Sequence, residues 1–109
     1  MKKDDITDFI QKQEKISKRN FMNYQESGVS RYYRAHDRAE MLIDIARQAL
    51  SAADDHEMVG IFRSELADFG NRAMNALHDK KTDDADVVTL LKDIKSAAIM
   101  RGLITDPWK

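Results

Sequence analysis

A chain of 109 residues has room for one domain and one hydrophobic core. With 34% charged residues, four Gly and one Pro, its composition excludes a turn-rich β-sandwich, and 42% hydrophobic content excludes general disorder. A net charge of −1 selects no partner class, and the absence of cysteine excludes disulfides and thiolate metal sites.

No stretch approaches the roughly 18 apolar residues of a membrane span. Met1-Lys2-Lys3-Asp4-Asp5 has no apolar run of the signal-peptide kind, so the expected location is the cytoplasm. Charge is unevenly spread: residues 1–38 carry nine Lys/Arg against six Asp/Glu, and residues 39–109 carry nine against thirteen. Such a dipole orients an encounter but does not by itself imply nucleic acid.

In chain order, Asp4 or Asp5 caps a first helix over about residues 5–27, stopped by Gly28. Ile6, Phe9, Ile10, Ile16, Phe21 and Tyr24 are its inward candidates, a stripe interrupted by Gln13, Ser17 and Asn20. Ser30 is the expected N-cap of a second helix over 31–53. Its buried side comprises Ala35, Ala39, Leu42, Ile43, Ala46, Ala49, Leu50 and Ala53, small enough to let a neighbouring helix come close.

Asp54 and Asp55 interrupt the pattern and cap a third helix over 55–79. This helix carries the sharpest stripe in the chain: Met58, Val59, Phe62, Leu66, Phe69, Ala73, Ala76 and Leu77 fall within an arc of roughly 100°. Lys80-Lys81-Thr82 reads as a loop, and Thr82 or Asp83 caps a fourth helix over 83–101, closed by Gly102. Val87, Leu90, Leu91, Ile94, Ala97 and Ala98 are its expected inner face. The segment 102–109 is an apolar tail expected to fold back over the open end.

Matched helix lengths and short connections predict a single all-α domain, a small antiparallel four-helix bundle. A three-helix core from residue 30, with the N-terminal helix as an arm, is the competing arrangement.

Motifs of chemistry are scarce. His56 and His78 stand about 33 Å apart on one helix, and no Glu-x-x-His pair occurs, so solvent-facing histidines are expected and no metal or cofactor. The chain has no Gly-x-x-x-x-Gly-Lys, Gly-x-Gly-x-x-Gly or Gly-x-Ser-x-Gly motif. Asp4-Asp5, Asp54-Asp55 and Asp83-Asp84 all sit at helix starts, where capping explains them without acid–base chemistry. Hence no catalytic residues and no enzyme are expected.

Residues 31–38 are the most unusual segment. On a helix Arg31, Arg34 and Arg38 align within about 60°, and Tyr33 points outward. Arginine beside tyrosine is the composition of protein hot spots, and it also suits phosphate. The plainer reading has the arginines lie over the bundle and pair with acids on adjoining helices.

Lys12, Lys15, Lys18 and Arg19 gather on the outer face of the first helix, where they could join the arginine row in one basic surface. Gly28-Val29-Ser30 echoes a helix-turn-helix turn, but Tyr24 stands where that turn wants a small residue and Arg34 where it buries an aliphatic one. Met22, Met41, Met74 and Met100 fall off the main stripes, as at adaptable interaction surfaces.

The leading expectation is a non-enzymatic protein-binding module, a small cytoplasmic adaptor, regulator or inhibitor of the kind found in bacteria and phage. Its contact residues would be Arg31, Tyr33, Arg34 and Arg38. The alternative is a nucleic-acid-binding regulator using residues 12–38, and a third is a homo-oligomer associating through Ile99, Leu103, Ile104 and Trp108.

Overall fold

Four helices form close to where the periodic stripes predict them: α1 (Lys3–Ser27), α2 (Ser30–Leu50), α3 (Asp55–Leu77) and α4 (Asp84–Thr105). The computed structural model describes residues 3–79 and 84–105, and the side chains within them other than those of 84–86, 99 and 101–105. Among the described residues there is no strand, and no helix is long and apolar enough to cross a membrane.

Side-chain registers fix the directions. Between α1 and α2 the number of one partner rises as the other falls: Ser17 meets Glu40, Phe21 meets His36 and Tyr24 meets Tyr33. These two helices are therefore antiparallel. Between α2 and α4 the pairs advance together, Arg34 with Thr89 and Arg38 with Asp93, so α4 runs parallel to α2. With α3 packed along α4 and meeting α2, the result is an up-down-up-down bundle.

The first helix is no loose arm. Ile6 is fully buried and Phe9 sets its ring edge-on to Phe62, with centroids 5.7 Å apart. Two of the polar residues that interrupt its stripe have partners. Ser17, only 4% exposed, donates a 2.6 Å hydrogen bond to Glu40, and Asn20 donates to the Ile16 carbonyl.

The centre of the core comprises Ile6, Ile43, Met58, Phe62 and Leu66. Most of the predicted α3 stripe lies buried there, with Val59, Ala76 and Leu77 half-buried at its margins. Ile45 joins the core although its position lies outside the predicted α2 stripe. Among described α4 side chains only Ala97 is buried, beside Gly70, where an added Cβ would sit 3.2 Å from the Ala97 Cβ. That missing side chain lets α3 and α4 come close.

Several boundaries differ from expectation, each for a local reason. Asp4 and Asp5 stand in the first turn of α1 instead of capping it. Gly28 does stop α1, with φ +70° and its N–H donating to the Tyr24 carbonyl at 2.7 Å. Ser30 is already helical; the N-cap of α2 is Val29, whose side chain offers no acceptor.

At its other end, α2 finishes at Leu50 because Ser51 and Ala52 donate backbone bonds three residues back, tightening the last turn and leaving Ala53 exposed. Asp54 caps α3 as predicted, accepting from the Glu57 N–H at 2.8 Å, while Glu57 reaches back to the Ala53 N–H. Gly102 lies inside α4, so Leu103 and Ile104 belong to that helix and not to a tail. A single Gly costs a helix only about 1 kcal/mol. The expected caps Thr82 and Asp83, Trp108 and residues 106–109 lie outside the described residues, as do the side chains of Ile99, Leu103 and Ile104.

The two caps generate opposite predictions. Asp54→Ala should destabilise the protein by about 1 kcal/mol, and Val29→Asp should stabilise it by up to about 1 kcal/mol. Thermal melts followed by circular dichroism should show the first variant several degrees below the wild type and the second above it.

Candidate partner-binding surface

Gly28 turns the chain so tightly that the last two turns of α1 face the first two of α2. Aromatic side chains lie on both. The Tyr24 and Tyr33 rings have centroids 5.1 Å apart, Phe21 and His36 are 5.1 Å apart, and Tyr33 and His36 are 5.8 Å apart. All three pairs are tilted, as the ring quadrupoles favour.

The cluster is packed yet accessible. Tyr33 is 43% exposed and Phe21 38%, and the adjacent Met22 and Val29 are exposed as well. Below it Ser17 of α1 joins Glu40 of α2, and within α2 Glu40 lies within 3.8 Å of His36 Nε2 and Asp37 within 3.3 Å of His36 Nδ1. His36 is thus half-buried between rings and carboxylates instead of facing solvent, whereas His56 and His78 are exposed.

The four predicted contact residues do not share one surface. Arg34 and Arg38 lie on the flank of α2 that meets α4. Arg34 Nε donates to Thr89 Oγ1 at 3.2 Å and Arg38 Nε to the Asp93 carboxylate. Tyr33 lies on the opposite flank, against α1. Arg31 folds over its neighbour Tyr32, 4.9 Å from the ring centroid, and also donates to its hydroxyl. The plainer reading of the arginine row, pairing with acids on an adjoining helix, therefore holds at Arg38, and Arg34 reaches the same helix through a threonine hydroxyl.

The Arg38–Asp93 pair is well shielded, with side-chain exposures of 16% and 14%. Burial raises the Asp93 pKa above its ordinary value; the charge and hydrogen bond of Arg38 oppose that shift without cancelling it.

Lys12, Lys15, Lys18 and Arg19 are all exposed on α1. The single basic surface that they were to form with the arginine row is not built, because Arg34 and Arg38 turn to α4. Met22, Met41 and Met74 are exposed, but Met100 packs against the core. On α4, Val87, Leu90 and Ile94 are half-buried, while Leu91 is 52% exposed and Ala98 is also exposed, contrary to the predicted inner face. Among the described residues no three His, Asp or Glu side chains converge on a metal-sized site.

Comparison of the chain with known protein families, with curated proteins and with solved structures returns no match. Sequence reasoning missed Phe21, Tyr24 and His36 as companions of Tyr33. A usable signal was present: in a hairpin turned at Gly28-Val29, residues equally far from the turn face one another.

Two measurements check the ion pair. Arg38→Met alone should cost about 3 kcal/mol by leaving Asp93 shielded and unpaired, and adding Asp93→Leu should restore most of that loss in urea unfolding. With its pKa raised on folding, Asp93 contributes stability below its unfolded-state pKa and loses it as pH rises through the higher folded-state value. The stability of the wild type relative to Asp93→Asn should accordingly fall across that window and level off above it.

Proposed function

We propose that this chain is a non-enzymatic protein-binding module, a small cytoplasmic adaptor, regulator or inhibitor that engages its partner through the tip of the α1–α2 hairpin. The observation that carries this reading is Tyr33: 43% exposed, yet held between Tyr24 and His36. An aromatic ring held in place before binding loses little freedom on contact, and tyrosine is a preferred hot-spot residue. Phe21 and Met22 widen the apolar area. Lys18, one turn before Met22, and Arg31 add positive charge at its edge, suited to an acidic rim on the partner. Arg34 and Arg38, occupied by α4, support the surface from behind instead of joining it.

Tagged full-length protein, exposed to extract from its native host, should capture a partner identifiable by mass spectrometry. Tyr33→Ala combined with Met22→Ser should weaken binding to that purified partner at least 30-fold in calorimetry, the equivalent of about 2 kcal/mol, with an unchanged circular-dichroism spectrum. Affinity within twofold of the wild type in a folded double variant would reject the site.

Nucleic-acid binding is the second reading, supported by Lys12, Lys15, Lys18 and Arg19, which are exposed and form no ion pair among the described residues. It predicts a gel shift that weakens with salt, with a logarithmic slope of up to about −3.6 for four neutralised phosphates on duplex DNA. No shift at low salt with duplex or single-stranded DNA or RNA would eliminate it.

A further inference from the structure

Among the described residues α1 and α4 flank α2 without packing closely on each other, and a cleft of about 240 Å³ lies between them. Its floor is α2, at Ala39 and Leu42, and its apolar walls are Phe9 and Ile16 on one side and Met100 on the other. Gln13, Ser96 and Arg38 are its polar lining residues. A broader recess beside Glu65, Asp68, Asn71, Arg72 and Asn75 is polar and lined by α3 alone, which makes it ordinary outer surface.

Size narrows the occupant. The cleft exceeds the roughly 150 Å³ apolar cavity that accepts benzene and falls short of the roughly 300 Å³ at which drug-sized sites begin. An α-helix about 10–12 Å across is too wide for it. One aromatic ring or a short alkyl chain fits.

Charge narrows it further. Lys12 and Arg19 stand four residues before and three after Ile16, on the same edge of α1, and Lys92 stands four before Ser96 on α4. All three are exposed and without ion pairs among the described residues. The acids sharing the α1 edge, Asp5 and Asp8, lie toward its start, beyond Ile16 and Lys12, and the Asp93 carboxylate is answered by Arg38. The geometry points to a binding site for a small anionic amphiphile, its apolar body between Phe9, Ile16 and Met100 and its acid group among Lys12, Arg19 and Lys92. This site is separate from the hairpin tip and stands or falls independently of it.

Octanoate and octyltrimethylammonium, matched in chain length and opposite in charge, are suitable probes in calorimetry with the full chain at low salt. Octanoate should bind one-to-one with a Kd below 1 mM and at least tenfold tighter than the cation. Lys12→Ser with Arg19→Ser, both at exposed positions, should weaken octanoate about tenfold, and Ala35→Leu, which fills the cleft from α2, should abolish binding. Methyl shifts on titrating the wild type should concentrate at Ile16, Leu42 and Met100, a readout that needs no variant. No saturable binding, equal affinity for the cation, shifts centred elsewhere, or undiminished binding by a folded Ala35→Leu would each overturn the proposal.

Discussion

Everything in this molecule depends on how α2 divides its circumference. One flank is clasped to α1 through Ser17–Glu40 and the Tyr24–Tyr33 and Phe21–His36 ring pairs. Another holds α4 through Arg34–Thr89 and Arg38–Asp93. Between them Leu42, Ile43 and Ala46 enter the core. The contacts to α4 withdraw Arg34 and Arg38 from the surface, whereas those to α1 leave Tyr33 and Phe21 partly exposed, so the packing of α2 decides which residues remain to meet another molecule.

The arginine row shows the consequence. Three arginines at helical spacing look like a binding stripe in isolation. In the bundle two of them bridge to α4, and one faces a carboxylate whose pKa burial has raised. A shielded ion pair of this kind adds little net stability over apolar residues, yet losing either member leaves the other uncompensated. Its clearer effect is on register: matching Arg38 to Asp93 and Arg34 to Thr89 fixes α4 at one level along α2. With the arginines so placed, Tyr33 is left on the other flank with Phe21, Tyr24 and His36.

Local signals in the sequence were readable. The α3 stripe is so regular that Met58, Phe62, Leu66, Phe69 and Ala73 could be assigned to the core before any neighbour was known. Gly28 acts through its backbone conformation and Asp54 through a side-chain bond to the Glu57 N–H three residues on, neither needing tertiary context. Ser17 falls inside the α1 stripe by its spacing, but the partner that makes its burial tolerable is not legible locally, because Glu40 lies 23 residues away. In α4 the run Val87-Val88-Thr89-Leu90-Leu91 is nearly continuous in apolar residues, so periodicity could not choose a face; packing against α3 left Val88 and Leu91 outside. The arginine row was legible as a row, but its partners stand 55 residues further on, and nothing local specifies such a match.

The division of α2 between its neighbours is most directly tested by nuclear Overhauser contacts in the labelled full-length protein. Cross-peaks from Tyr33 to Tyr24, together with cross-peaks from the Arg34 and Arg38 side chains to Thr89 and Asp93, are expected. Contacts from those two arginines to α1 or to no other helix, with the Tyr24–Tyr33 contact missing, would contradict the account.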